Sequence, residues 1–92
     1  MKKLELYYFE SCPYCQIVMT ALRQTGLEDK VTYIDIHEDY KNKDKLVQLT
    51  GRGTVPCLFI DGKPMHESRD IAAWIHKYAK EIQHGGDSIS GN

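Results

Sequence analysis

The feature that most constrains the fold of this chain is a pair of cysteines at the point where a predicted strand passes into a predicted helix. Residues 4–9 are rich in Leu, Tyr and Phe, which predicts a buried strand. Pro13 suits the first turn of a helix, where its missing N–H costs nothing, and Ser11 or Cys12 can occupy the cap. Apolar residues then recur at helical spacing, at Cys15, Val18, Met19 and Leu22. This junction indicates an α/β domain.

The rest of the sequence alternates between strand and helix patterns. The remaining predicted elements are strands at 31–36, 57–60 and 63–66 and helices at 37–50 and from Ser68 onward. Asp61-Gly62 is a strong hairpin signal between the last two strands. The predicted order is β-α-β-α-β-β-α. Its first strand–helix–strand unit should be parallel and right-handed. The result is a four-stranded mixed sheet, flanked on both faces by three helices.

Length and charge limit the function classes. The 92 residues fit one domain, predicted over 1–84, with a flexible tail, native or added by cloning, over 85–92. A net charge of −1 supplies no strong field for nucleic acid, and no apolar run approaches the roughly 20 residues that span a bilayer. The apolar stretch at the N-terminus is too short for a signal peptide and Glu5 interrupts it. We therefore expect a cytoplasmic monomer with no nucleic-acid or membrane partner.

The cysteines themselves indicate redox chemistry. Three cysteines, an odd number, argue against a secreted disulfide framework, and a Cys12–Cys15 bridge closes a loop worth only about 1.9 kcal/mol in the chain-entropy model. The unsatisfied N–H groups and positive dipole end of the helix favour a thiolate at Cys12. Cys15, one turn further in, should be less exposed, so Cys12 is the attacking sulfur and Cys15 the resolving one. A structural disulfide and a zinc site are the alternatives. Zinc needs four ligands, which Cys57 with His37 or His66 could complete only by coincidence.

With these motifs in place, the sequence resembles the dithiol glutaredoxins of the thioredoxin superfamily. The resemblance rests on Cys12-Pro13-Tyr14-Cys15, on Thr54-Val55-Pro56 and on the strand and turn that follow, and it covers roughly residues 3–82. It implies a thioredoxin-like fold and glutathione as co-substrate. It also implies a cis peptide bond before Pro56, which sequence alone does not predict because only about 5–6% of X-Pro bonds are cis.

The family resemblance assigns a glutathione site to the residues around these motifs. Val55, with Thr54 beside it, is expected to pair its backbone with the glutathione cysteine like a short added strand. Pro56 is expected to hold this loop near the sulfurs. Tyr14 is expected to pack over the sulfur side of glutathione, its alternative being a partly exposed aromatic residue.

At the start of the last helix the sequence departs from the family pattern. The double glycine that the family often carries is absent from His66-Glu67-Ser68-Arg69-Asp70, and the Glu67-Ser68 pair resembles the N-terminal domains of glutathione transferases. Ser68, as an N-cap, offers a hydroxyl and a backbone N–H to a carboxylate. Glu67 can accept from the glutathione ammonium, or it can be a solvated charge.

A second departure lies before the first cysteine. Many glutaredoxins carry a lysine there, near the glycine carboxylate of glutathione, whereas Glu10 and Ser11 occupy this stretch. Arg52 is the expected compensating cation, with Lys43 and Lys45 as alternatives. Cys57 is expected to be a small buried core residue. The four histidines (His37, His66, His76 and His84) show no ligand pattern, and no metal is expected.

The resemblance implies an enzyme that reduces glutathionylated mixed disulfides and protein disulfides. Its partners would be glutathione, proteins carrying such disulfides, and a glutathione reductase system or its equivalent. Two alternatives remain. One is a glutathione-bridged [2Fe–2S] carrier, although a proline after the first cysteine is associated with cluster-free members. The other is a non-catalytic glutathione-binding module of thioredoxin-like fold.

Overall fold

A computed structural model describes the backbone of residues 1–91 and the side chains of residues 1–83. Within these residues, four strands and three α-helices follow the predicted order. Their bounds are β1 Leu4–Tyr8, α1 Pro13–Thr25, β2 Val31–Asp35, α2 Tyr40–Thr50, β3 Cys57–Ile60, β4 Lys63–Met65 and α3 Ser68–Gly91. A short 3-10 helix at Glu28–Lys30, which the sequence did not predict, leads into β2.

The strands form one mixed sheet in the order β2-β1-β3-β4. β1 runs parallel to β2, with Leu4 opposite Val31, as the strand–helix–strand pattern predicts. β3 runs antiparallel to β1 and pairs Tyr7 with Cys57, and β4 returns antiparallel to β3. The carboxyl end of β1, which leads to the cysteines, therefore lies beside the start of β3.

Strand alternation divides the core between the two faces of the sheet. One cluster joins Leu4, Leu6 and Leu58 to the buried faces of α1 and α3. The other joins Tyr7, Phe59 and Cys57 to α2, whose buried residue is Leu46. Helices thus cover both faces, which confirms the prediction, and β1 is held in place from above and below.

The predicted start of the second helix was wrong by a few residues. Helix α2 begins at Tyr40 rather than at residue 37, because Asp39 caps it by accepting from the Lys41 N–H at 2.9 Å. Asp35 accepts from the His37 N–H at 2.8 Å and so turns the chain before the helix starts.

Helix α3 also differs from the prediction. Its backbone continues to Gly91, through residues predicted to be a flexible tail. Asn92 lies outside the described residues, and the domain boundary at residue 84 stays a prediction. No helix in the described chain combines the length and the apolar character that crossing a membrane requires.

Candidate active site at the start of helix α1

Cys12 occupies the N-cap of α1, directly after the end of β1. Its backbone N–H donates to the Phe9 carbonyl at 3.2 Å, which turns the chain out of the strand. Its Sγ accepts from the Cys15 N–H at 3.2 Å, so the sulfur does the work of a capping oxygen. Pro13 is the first residue of the helix, as predicted. A negative charge on this sulfur is stabilised by that N–H and by the helix dipole.

Cys15 is placed to keep its proton. It is fully buried, whereas Cys12 retains 4% exposure, and both thiols are free. Burial, together with the side-chain hydrogen bond with Cys12, raises the pKa of Cys15 to about 12, against a smaller lowering by the Phe9 backbone. At neutral pH Cys15 is therefore a thiol beside Cys12. A buried, protonated thiol suits the resolving role predicted for Cys15.

The loop before β3 brings Pro56 to the same end of the sheet. The Val55–Pro56 peptide bond is cis, which confirms the prediction from the family resemblance. Val55 packs against the core cluster of Tyr7 and Cys57. Because Tyr7 and Cys57 are paired across β1 and β3, the loop ends beside the point where β1 leads to Cys12.

A groove of about 590 Å³ lies next to this loop. One side is the proline wall, made of Thr54, Val55 and Pro56, and the other is the helix wall, made of residues 66–70, with Tyr14 also lining the groove. This volume lies in the range of small-ligand sites. We call this space the ligand groove.

The ligand groove brings six of the seven predicted glutathione-binding residues together. They are Tyr14, Thr54, Val55, Pro56, Glu67 and Ser68. Tyr14 is 64% exposed. The roles of these residues stay predictions. His66, Arg69 and Asp70, which belong to the segment compared with the family pattern but were given no role of their own, also line the groove.

The start of α3 differs from the predicted cap. Ser68 is the first helical residue, and Glu67 holds the capping position, where its carbonyl accepts from the Ile71 N–H at 3.0 Å. Glu67 has φ of 70°, a left-handed conformation that costs a residue with a side chain roughly 1–2 kcal/mol. The first N–H groups of a helix have no partner within it. Those of α3 belong to the helix wall and suit a carboxylate.

Arg52 is the seventh predicted residue, and it lies outside the ligand groove lining. The Thr50 hydroxyl holds its backbone, donating to the Arg52 carbonyl at 2.7 Å. Burial lowers the pKa of His66 and raises that of Cys57, and the guanidinium is close enough to act on both as a smaller, lowering influence. Arg52 therefore adds positive charge near the groove without lining it.

Cys57 and His66 form a contact that the sequence analysis missed. Cys57 Sγ lies 3.9 Å from His66 Nε2. The predicted burial of Cys57 is confirmed, since it is fully buried. The hairpin register was the available signal: Leu58 pairs with Met65, so the next pair outward from the Asp61-Gly62 turn is Cys57 and His66. Among the side chains described, no group of three or more His, Cys, Asp or Glu could hold a metal ion.

Comparison with known proteins fits this geometry. The family "Glutathione S-transferase, N-terminal domain" matches residues 11–77. Glutaredoxin 3 of Escherichia coli (strain K12) is 30% identical over 73 residues, which are 79% of this chain and 86% of that protein. Glutathione S-transferase D7 of Drosophila melanogaster is 31% identical over 81 residues, 87% of this chain but 36% of that protein. Oxidized glutaredoxin 2 from Chlamydomonas reinhardtii has a similar crystal structure, with a TM-score of 0.67 and 28% identity over 92% of this chain and 83% of that chain.

The four-stranded mixed sheet, with the cysteine pair at the end of β1, has the thioredoxin-like fold. A Cys-X-X-Cys pair at a helix N-terminus is a recognised setting for redox chemistry. Within the thioredoxin superfamily, the chain belongs to the glutaredoxin family. It is a glutathione-related thiol oxidoreductase, which confirms the family resemblance seen in the sequence.

Proposed function

We propose that this chain is a dithiol glutaredoxin that reduces glutathionylated mixed disulfides and protein disulfides, with glutathione as co-substrate. The observation that carries the proposal is the Cys12 sulfur at the N-cap of α1, accepting an N–H at 3.2 Å, at the end of the sheet where the ligand groove lies. Tyr14, two residues further on, connects the cysteine turn to that groove.

The ligand groove has the chemistry that glutathione needs. The Val55 backbone on the proline wall can pair with the backbone of the tripeptide. On the helix wall, the free N–H groups at the start of α3 suit a carboxylate, and the Glu67 carboxylate suits an ammonium. Arg52 supplies positive charge for a second carboxylate at the edge of the site. A zwitterionic peptide with two carboxylates fits this distribution.

The reaction is thiol–disulfide exchange. The Cys12 thiolate attacks the glutathionyl sulfur of a mixed disulfide. A Cys12–glutathione disulfide forms, the original disulfide breaks, and the substrate thiolate leaves and takes a proton from water. The thiolate of a second glutathione then attacks the glutathionyl sulfur on Cys12. Glutathione disulfide is released and the Cys12 thiolate is restored, so one disulfide is reduced for each disulfide formed.

Protein disulfides require the second cysteine. After Cys12 has formed a mixed disulfide with the substrate protein, Cys15 gives up its proton and attacks Cys12. The substrate thiol leaves and a Cys12–Cys15 disulfide remains, which two molecules of glutathione then reduce. We place the protein in this role as a cytoplasmic monomer, supplied with reduced glutathione by a reductase system or its equivalent.

The test compares Cys12→Ser with Cys15→Ser on a glutathionylated peptide. Serine retains a capping oxygen, so Cys12→Ser should fold normally. It should abolish turnover, whereas Cys15→Ser should keep most of it and lose the reduction of protein disulfides. His76→Gln, on an exposed position of α3 outside the ligand groove, is the control. Equal loss in both cysteine variants would contradict the roles assigned here. Glutathione binding without turnover in the wild type would favour the non-catalytic module.

A further inference from the structure

We propose that His66 and Cys57 act as a pair of positioning residues that hold the two walls of the ligand groove at the spacing glutathione requires. The inference deepens the proposed function and rests on it. Neither residue belongs to the cysteine motif. His66 lines the ligand groove, and Cys57 contacts it at the start of β3, away from the reacting sulfur.

The position of the pair in the fold carries the argument. Cys57 directly follows Pro56 and is the first residue of β3, so it anchors the proline wall to the sheet. His66 directly precedes Glu67 and follows the end of β4, so it begins the helix wall. The register of the hairpin, with Leu58 opposite Met65, sets Cys57 against His66. The 3.9 Å contact between Sγ and Nε2 is thus a side-chain link from one wall to the other.

The protonation states define the direction of the contact. Burial raises the pKa of Cys57 to about 11, so at neutral pH it is a thiol and can donate. Burial also lowers the pKa of His66, which the Arg52 charge lowers further and Glu67 opposes, so the imidazole is neutral. A neutral imidazole accepts the Cys57 S–H at Nε2 when its ring proton is on Nδ1, and we assign this tautomer to the pair. At 3.9 Å the hydrogen bond is long and weak, so we expect a modest effect from its loss.

The surroundings of His66 Nδ1 indicate that a histidine is not the residue that would make the fold most stable at this position. His66 Nδ1 is buried and has no hydrogen-bond partner in the described part of the chain. A buried polar atom without a partner lowers the stability of the fold. An apolar ring of similar shape would avoid this penalty. A residue that costs stability while lining a ligand groove has the signature of a functional position.

The Cys57–His66 contact lies next to Glu67, the residue that precedes α3 in the helix wall. Glu67 holds a left-handed backbone conformation, with φ of 70°, which the surrounding structure must maintain. His66 is the residue through which that strained segment is attached to β3. Without the contact, Glu67 and the N–H groups after it are free to relax away from the proline wall. The affinity of the groove should then fall, while the chemistry at Cys12 continues.

The experiment measures KM and kcat for a glutathionylated peptide in His66→Phe and Cys57→Ala. His66→Phe keeps a ring but removes both nitrogens, and Cys57→Ala removes the donor. We expect each variant to raise KM about three- to tenfold, the loss of one hydrogen bond's affinity, with kcat unchanged. Cys57→Ser, which restores a donor, should recover part of the loss. The double variant should raise KM no further than the single variant with the larger effect, since the two residues act through one contact. His76→Gln is the matched histidine control.

Thermal unfolding separates positioning from a purely structural role. His66→Phe should melt at or above the wild-type temperature, because it removes the unpaired Nδ1. KM values within twofold of wild type in both single variants, or additive effects in the double variant, overturn the inference while leaving the proposed function intact. A wild-type protein that turns over no glutathionylated peptide means that the proposed function is wrong, and this inference falls with it.

Discussion

At the level of single residues, the three cysteines show how position decides thiol chemistry. Cys12 lies at a helix cap, where a backbone N–H meets its sulfur. Cys15 and Cys57 are fully buried, and burial raises the pKa of both. The same side chain is therefore poised for attack at one site and kept protonated at two others. Sequence analysis could assign Cys12 and Cys15 because Pro13 marks the helix start and the core-facing position of Cys15 follows from helix periodicity.

The buried thiol of Cys57 predicts a loss of stability in alkali. Its pKa is raised from 9.0 to about 11 in the folded protein, so the protonated form favours folding. That contribution is complete below pH 9 and declines as the pH rises towards 11. We expect the contribution of Cys57 to the free energy of unfolding to shrink by up to about 3 kcal/mol between pH 9 and 11, at 1.36 kcal/mol per pKa unit.

Urea unfolding at several pH values measures this decline. The Cys12→Ser/Cys15→Ser protein is compared with the same protein carrying Cys57→Ala, so that no other thiol titrates. The difference between their free energies of unfolding should narrow from pH 8.5 to pH 11. A difference that stays constant over this range would show that the Cys57 thiol ionises as readily in the folded chain as in the unfolded one.

At the level of elements, the strands were predicted best. Residues 57–60 were predicted as a strand and β3 spans the same residues, because β-branched and aromatic residues end there at an Asp-Gly turn. The helix starts were less accurate. Asp39 caps α2 and Glu67 precedes α3, and neither position follows from hydrophobic periodicity. A left-handed residue is commonly signalled by glycine, and at residue 67 that signal is absent.

Replacing Glu67 tests what its conformation is for. Glu67→Gly relieves the left-handed strain at φ of 70°, so we expect a gain of roughly 0.5–1 kcal/mol in the free energy of unfolding. The same change removes the carboxylate assigned to the glutathione ammonium and should raise KM for a glutathionylated peptide. Glu67→Gln, which keeps the strain and loses the charge, should raise KM with little gain in stability. An unchanged KM in both variants would mean that Glu67 is a solvated charge.

At the level of the whole molecule, the site depends on contacts between elements that are distant in sequence. The ligand groove exists because residues 54–56 and 66–70 reach the same end of the sheet as the cysteine turn. The family resemblance predicted most of its lining from motifs. It did not predict the Cys57–His66 contact, because that contact follows from the hairpin register set by the Asp61-Gly62 turn and not from the family motifs. Arg52 was placed in the site by charge alone, and its side chain lies outside the groove lining.

The domain boundary proposed at residue 84 can be tested by shortening the chain. Among the side chains that the structure describes, the two core clusters extend to Ala79 and the groove lining to Asp70. A chain cut after residue 84 therefore retains every described member of both clusters and every residue assigned to the site. Two glycines, Gly85 and Gly86, follow the cut, and each weakens a helix by about 1 kcal/mol relative to Ala. The turns after them should thus add little net stability to α3.

We expect the chain of residues 1–84 to unfold within about 0.5 kcal/mol of the full chain, with the same KM and kcat on a glutathionylated peptide. Urea unfolding and steady-state kinetics provide the two measurements, and a chain cut after residue 77 is the contrasting control. That shorter chain loses Tyr78, which stacks on Trp74 at 4.8 Å and whose hydroxyl accepts from the Lys2 N–H at 2.7 Å. It should be clearly less stable. Equal destabilisation by both cuts would place residues 85–92 within the folding unit and move the boundary to the end of α3.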